Sequence, residues 1–510
     1  METDVRAGWY LTDQGMRPGG TAVSSGTATA GRLIGRALSF LAQLVLARAL
    51  APEAFGVFAI AWTTLRLFAI VGHLGLDAGV IRFGAEALGH DPRRLKGAVL
   101  LAVGGALLAG SVFGLVIFLS APWIAASAFG KPELEPILRG FAFVFPLAAT
   151  LRVLAAASSL SGRMLCGAIA EDLLQPVAQM AVFLPLFWVG LGLKAAVMST
   201  AVSYGASVAM GVVCVRRLLP ETRSAGSPDL TIFRSLLRFS LPTDLAVGLG
   251  AFNVWGDRLL VGYFGTASQA GIYQSVSLIS VLTTLMMSGI KSASAPILAR
   301  MLSAAQGAAA VGVVQRAARW GLYLATPILL LTAFLPGEIL IALFGPAYTG
   351  GATALVWLAA GQFLYVAVGV ADQFILMSGH QALWLAITGF SFIATLVLDA
   401  FAIPAHGIVG AAVVSCGTTA LTTALTILLM RRLTGQWLVG WRQLLLLVSA
   451  IISGALAMAA TNVSGLQSTE RAWAAGSSAI VLLGLAMWVF VIDPQDRRLI
   501  RQWFSQIRPS

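Results

Sequence analysis

Charge is what this chain has least of. Only 11% of its 510 residues are Asp, Glu, Lys or Arg, against about 25% in an average soluble domain, so it cannot cover a water-facing surface of its size. Acid is scarcer than base, with 21 carboxylates against 33 lysines and arginines and a formal net charge of +12. The three cysteines, Cys166, Cys214 and Cys416, form no spaced cluster, so neither a disulfide framework nor a metal site is indicated. No convergent acid–base constellation is visible, and neither enzyme activity nor a cofactor is expected. The alternating strand pattern of an outer-membrane barrel is absent as well, and no external loop exceeds about 20 residues, too few for a catalytic domain.

Apolar residues fill the space. They make up 58% of the chain and raise its mean hydropathy to +0.87. Runs of roughly 20 apolar residues recur along nearly the whole length, each long enough to cross a hydrocarbon core of about 30 Å. With no barrel pattern, helices must satisfy the backbone in lipid. The fold class is therefore an all-α polytopic membrane protein. About fourteen spans are expected near 31–50, 56–80, 98–120, 136–158, 170–191, 195–215, 240–263, 271–293, 318–344, 352–376, 382–403, 407–430, 442–461 and 473–492. The polar stretch 1–29 lacks the apolar h-region of a signal peptide and reads as a flexible tail.

Lysine and arginine set the orientation. With an even number of spans both ends lie on one side, and most of the 33 basic residues fall there, from Arg6 and Arg17 to Arg501 and Arg508. Lys131, Lys194, Arg471 and Arg48 fall opposite. Both termini are expected in the cytoplasm, with the positive charge held against the anionic inner leaflet. The basic balance needs no nucleic acid.

Two short stretches echo one another. "LARALAPEAFGVFAI" at 46–60 and "VGYFGTASQAGIYQS" at 261–275 both place a glycine before an aliphatic–aromatic pair, Gly56-Val57-Phe58 and Gly271-Ile272-Tyr273, 215 positions apart. "FGKPELEPILRGFAF" from Phe129 is answered by "FGPAYTGGATALVWL" from Phe344, and "GLKAAVMSTAVS" from Gly192 by "GIVGAAVVSCGT" from Gly407. "SLSGR" ending at Arg163 is answered by "LMSGH" ending at His380, 217 later, and an offset that stays within a couple of residues implies a duplicated unit of six spans. An even count makes the repeats parallel, with a pseudo-two-fold axis along the membrane normal and the substrate path between lobes. The expected domains are a tail (1–29), a first lobe (30–219), a linker (220–238), a second lobe (239–432), two added spans (433–492) and a tail (493–510).

Polar residues inside the spans mark candidate sites. Arg32, Arg36, Ser39 and Gln43 share one face of the first span, although anchoring to headgroups also explains the arginines. Arg66, His73 and Asp77 share a face of the second. Arg66 lies about 15 Å past Gly56, too deep to snorkel easily, and must face a wet cavity or a carboxylate partner. Arg152 in the fourth span is another deep cation. Asp257–Arg258 in the seventh could serve a substrate or neutralise itself, and Lys291 near the end of the eighth could line the path or anchor it. Asp372 and Asp399 are candidates for a coupling cation, or for structural hydrogen bonding. Because the deep charges are mostly positive, an anionic passenger is expected, its phosphate oxygens held by guanidinium pairs, with Ser, Thr and Gln seams for hydroxyl-rich cargo.

The opening stretch, with "LARALAPEAFG" (46–56), "LGL" (74–76) and "IRF" (81–83), resembles the oligosaccharide flippases, the polysaccharide-exporter branch of the multidrug/oligosaccharidyl-lipid/polysaccharide superfamily. "DRLLVGYFGTASQAGIY" (257–273) and "FGPAY" (344–348) are similar to later family segments. The resemblance implies a multi-pass protein of the bacterial inner membrane. It would flip an undecaprenyl-diphosphate-linked oligosaccharide for lipopolysaccharide or exopolysaccharide synthesis, alongside membrane lipids and the polymerase or export partners of that pathway. It also implies two lobes around a cationic cavity. Competing readings are a drug–cation antiporter of the same superfamily, which would have an acidic path, and a membrane polymerase or ligase, which would carry a large external loop.

Overall fold

The structure, a computed structural model, describes residues 18–161, 165–220, 227–304 and 306–438, with scattered positions between 440 and 484. Helix is the only regular secondary structure among them. In the first half, α1 covers Pro18–Gly72, α2 Leu76–Ala87 and α3 Pro92–Trp123, which runs into a π-helical turn at Ile124–Ala128. α4 (Leu134–Ala142) and α5 (Phe145–Ser159) follow one another at a bend of 44°. α6 (Leu165–Ala168), a second π-helical turn (Ile169–Leu174), α7 (Gln175–Trp188) and α8 (Gly192–Leu218) complete it. The second half holds α9 (Phe233–Phe264), α10 (Ala267–Ser303), α11 (Gly307–Phe334), α12 (Pro336–Leu343), α13 (Ala352–Ala367), α14 (Ala371–Met377) and α15 (Gln381–Thr434).

Among the described residues, six helices are long and apolar enough to cross a membrane, and two bent pairs add to them. Two of the six, Ile34–Ala87 and Gln381–Thr434, are 54 residues long. A straight helix of that length would reach about 80 Å, far beyond a core of about 30 Å, so each must fold back. α1 breaks at Ala51 (φ 60°, ψ 166°) ahead of Pro52, whose ring pushes the preceding residue out of the helical region. α15 breaks at Gly407 (φ 58°), a backbone shape that suits glycine. The expected first and second spans, and the eleventh and twelfth, are thus divided by a single non-helical residue and not by a loop. The thirteenth and fourteenth (442–492) lie largely outside the described residues, so a count of fourteen is not established. α1 already starts at Pro18, inside the stretch expected to be a tail, and α9 starts at Phe233, inside the expected linker.

The offset of 215 recurs in the backbone. Gly130 and Gly345, 215 apart, both take positive φ (61° and 104°), and so do Gly192 and Gly407 (49° and 58°). The two notch glycines meet each other across the halves. A methyl group added at Gly56 would overlap the carbonyl oxygen of Ala267, and one added at Gly271 would overlap that of Pro52. Residues 52 and 267, like 56 and 271, are related by the same offset, so the contact is the reciprocal exchange that a two-fold axis produces.

Packing follows the axis. One apolar core, with Phe55, Phe58, Phe141, Phe145, Tyr273 and Tyr348 at its centre, is shared by both halves around the notches. Away from that end two cores form, one around Leu76, Leu95 and Val153 and the other around Val314, Val366 and Ile375. The halves are fused at one end of the seam and packed mostly each on itself at the other.

Candidate functional site

A cavity of about 230 Å³ lies on this seam. Ser39, Arg66, Ala69 and Ile70 of α1, Leu151 and Arg152 of α5 and Tyr204 of α8 form most of its wall, and Trp255 of α9 closes it from the second half. The π-helical turn Ile169–Leu174 supplies Glu171 and Asp172, with Gln175 just beyond. A π turn places one more residue per turn than an α-helix, which re-aims side chains inside an otherwise regular span. Gly35 lets that turn come close, because a side chain there would collide with Asp172.

The cavity brings together Arg66 and Arg152, and its wall is not cationic alone. It carries as many carboxylates as guanidiniums. Among the described residues Arg66, Arg152 and Glu171 form no ion pair within 4.0 Å, and Arg66 Nε is buried with no hydrogen-bond partner. Arg66 is instead held by aromatic faces, 4.6 Å from the Trp62 ring centre and 5.4 Å from that of Trp255. Such cation–π contacts attract a guanidinium while leaving its N–H groups free for a ligand.

The other candidates fall elsewhere. Arg258 sits behind the cavity wall, 4.3 Å over the Trp255 ring, with Nη1 donating to Val254 O at 2.8 Å and lying 3.8 Å from Asp257. Of the alternatives left open for it, self-neutralisation is the geometry observed. Gln43 is buried above Ser39, and Arg36 is exposed and does not line the cavity. The side chain of Arg32 lies outside the described residues. Lys291 donates to Asp372 Oδ2 at 2.6 Å and to Tyr365 Oη at 2.7 Å, an ion pair within the second half. Asp372 is therefore engaged by a protein cation. Asp399 is fully buried, and neither of its oxygens has a hydrogen-bond partner among the described residues. It lies within electrostatic reach of Asp257, whose Oδ2 accepts from Tyr273 Oη at 2.7 Å and from Ser415 Oγ at 3.4 Å.

Two clasps flank the glycine contact. The Lys131 ammonium, 8% exposed, donates to the carbonyls of Phe129 (3.0 Å), Gly262 (2.7 Å) and Gly265 (2.8 Å). Burial pushes its amine below the usual lysine range, and the Glu133 charge works against that. Tyr348 Oη donates to Ala47 O at 2.6 Å. Sequence reading missed Glu171, Asp172, Trp255 and both clasps. With only 21 carboxylates in the chain, the adjacent pair Glu171–Asp172 ahead of Pro176 was the available signal.

Comparison with known proteins places this geometry in context. The sequence profile of a family described as "Polysaccharide biosynthesis protein" matches residues 45–352. The chain is 25% identical over 402 residues to the "Probable low-salt glycan biosynthesis flippase Agl15" of Haloferax volcanii, covering 77% of this chain and 80% of that protein. Its fold is similar to that of the "Lipid II flippase MurJ, inward closed conformation", with a TM-score of 0.72, 11% identity, and 93% and 99% of the two chains covered. It is also similar to a multidrug resistance MATE family transporter of the MOP superfamily in an inward-facing conformation, with a TM-score of 0.62, 16% identity, and 80% and 97% covered.

Proposed function

The chain belongs to the polysaccharide biosynthesis protein family, and from that premise we propose that it is a flippase for a lipid-linked oligosaccharide. The cargo we assign is an undecaprenyl-diphosphate-linked glycan, carried across the bacterial inner membrane by alternating access for lipopolysaccharide or exopolysaccharide synthesis. Both termini lie in the cytoplasm, as the basic residues demand.

The observation that carries this reading is the pair Arg66 and Arg152 facing one seam cavity, with no ion pair to either among the described residues. Arginine at mid-bilayer depth costs at least about 2.5 kcal/mol, a cost offset when an anion occupies the cavity. A diphosphate suits two guanidiniums because each offers paired N–H donors to phosphate oxygens. In the empty state Glu171 and Asp172 balance the arginine charge, and Ser39, Gln175 and Tyr204 present partners for sugar hydroxyls. The volume of about 230 Å³ is below the roughly 300–1,000 Å³ of ordinary ligand pockets, so the closed seam holds the diphosphate end only. The glycan enters when the halves part. Arg32 and Arg36 meet the headgroup at the start of α1, Gln43 extends their face, Arg258 steadies Trp255, and Lys291 acts through its pair with Asp372. Asp399, beside Asp257, remains the candidate for a coupling cation, whereas Asp372 is taken up by Lys291.

The two cavity carboxylates favour a second reading, a cation antiporter. Deletion separates the two: loss of a flippase accumulates a lipid-linked glycan that mass spectrometry identifies, whereas loss of an antiporter leaves that pool unchanged. Arg66→Ala and Arg152→Ala each abolish complementation at normal membrane levels, and full activity in both removes the diphosphate clamp. Glu171→Gln eliminates an antiporter but leaves a flippase active.

A further inference from the structure

At the end of the seam remote from the glycine contact, His73 follows the last residue of α1, about 25 Å along the helix from Gly56. Its imidazole is 1% exposed and lies between two carboxylates on elements of opposite halves. Nδ1 is 3.2 Å from Asp244 Oδ1 of α9, and Nε2 is 3.6 Å from Asp77 Oδ2 of α2. The backbone N–H of Gly75 also donates to Nδ1, at 3.2 Å. One nitrogen cannot serve both neighbours, since it accepts from Gly75 only when bare and donates to Asp244 only when it carries a proton.

The same geometry therefore serves two protonation states. In the neutral ring Gly75 is satisfied and Nε2–H turns toward Asp77. Asp244, 4% exposed, then keeps Oδ1 without a donor in a dry seam, an arrangement that favours opening to water. In the charged ring an imidazolium bridges both carboxylates and ties α2 to α9. The surroundings are tight: side chains added at Gly75 or Gly79 would overlap Ser240 of α9, and Phe113 and Gly105 of α3 back the corner. Among the described residues Asp77 and Asp244 are the titratable groups paired with His73.

We infer that His73 is a proton-binding site that latches this end of the seam, closed when the imidazole is charged and released when it is neutral. On the proposed orientation this is the cytoplasmic end, but the latch does not depend on the cargo.

The test uses the full chain without cargo, with Cys166, Cys214 and Cys416 replaced by Ala. Spin labels go on Ile81→Cys and Leu245→Cys, at exposed positions of α2 and α9. Electron–electron resonance distances are read in lipid nanodiscs across the range from about pH 5 to about pH 8. The ratio of short to long distances falls with rising pH by roughly 5–150-fold, the usual span of coupling between sites. His73→Gln and Asp244→Asn each flatten that profile, and Ser240→Ala leaves it intact. A wild-type ratio that does not move, or an unchanged profile in a folded His73→Gln, overturns the latch. If His73→Gln does not insert, Asp244→Asn decides alone. Arg66 and Arg152 play no part in this readout, so failure of the latch and failure of the flippase assignment are told apart.

Discussion

The two notches that repeat at an offset of 215 meet at the axis, yet they are built differently. The second opens with a capping box: Gln269 N donates to Thr266 Oγ1, and Thr266 N donates to Gln269 Oε1. The first has Ala51 in the corresponding place, with no hydroxyl and with φ at 60°. Both keep the glycine four residues after the helix start, and both place a helix carbonyl against the partner glycine. The close approach is the same at both notches, while the local turn chemistry differs. The axis contact is the constraint, because two helices can approach to backbone distance only where neither carries a side chain.

The strongest way to break that comparison is to fill the approach. Gly56→Val and Gly271→Val both set a side chain onto a main-chain oxygen that cannot rotate away. Each should cost more than about 4 kcal/mol, the exceptional class of single substitutions, seen as loss of folded protein in thermal unfolding of the solubilised chain. The two losses should match. A harmless substitution at either one would mean that the seam is not symmetric there.

Next comes the clasp on the second notch. Gly262 lies in the last turn of α9, where carbonyls have no intrahelical partner and a cation is favoured, and Lys131 fills that need. Lys131→Met should cost about 1.5–3 kcal/mol, the worth of hydrogen bonds to a charged group. It should also loosen only this end of the seam, leaving the His73 distances unchanged.

Ala51→Gly sharpens the contrast from the other side. The backbone of Ala51 (φ 60°, ψ 166°) lies in a region that costs a side-chain-bearing residue roughly 1–3 kcal/mol, while glycine loses about 0.5–1 kcal/mol more chain entropy on folding. A net gain of roughly 0.5–2 kcal/mol is expected as a higher unfolding temperature. Thr266→Gly, where φ is −81°, should bring no such gain.

Much of this was legible in the sequence, for a physical reason. Apolar length and the spacing of Gly56 and Gly271 are properties of the chain itself, and so are the glycines at 130, 192, 345 and 407, whose backbone shapes recur in pairs. Depth along a helix is also readable, which is why Arg66 and Arg152 each read as deep cations; both line one cavity. Partnership across helices is not readable from periodicity. A face at 100° per residue says where a side chain points relative to its own helix and nothing about the neighbour. Arg258 therefore turned out to back Trp255, and Lys291 to bind Asp372. Glu171 and Asp172 were missed because a π turn shifts register by one residue without a residue type that announces it.

The smallest predicted effect isolates the chemistry of the clasps. Ala47 and Gly262 are themselves 215 apart, so their carbonyls are the same acceptor in the two copies, and each is bonded from the loop that follows "FG" in the opposite half. One donor is the Lys131 ammonium and the other the Tyr348 phenol. A neutral hydroxyl–carbonyl bond is worth about 0.5–1.5 kcal/mol net, so Tyr348→Phe should lower stability by that much and no more, the ring staying in the shared core. If thermal unfolding finds Tyr348→Phe costlier than Lys131→Met, charge is not what distinguishes the clasps. The first notch would then lean on its single phenol to compensate for the missing cap at Ala51, and the double variant Tyr348→Phe with Ala51→Gly should recover the excess.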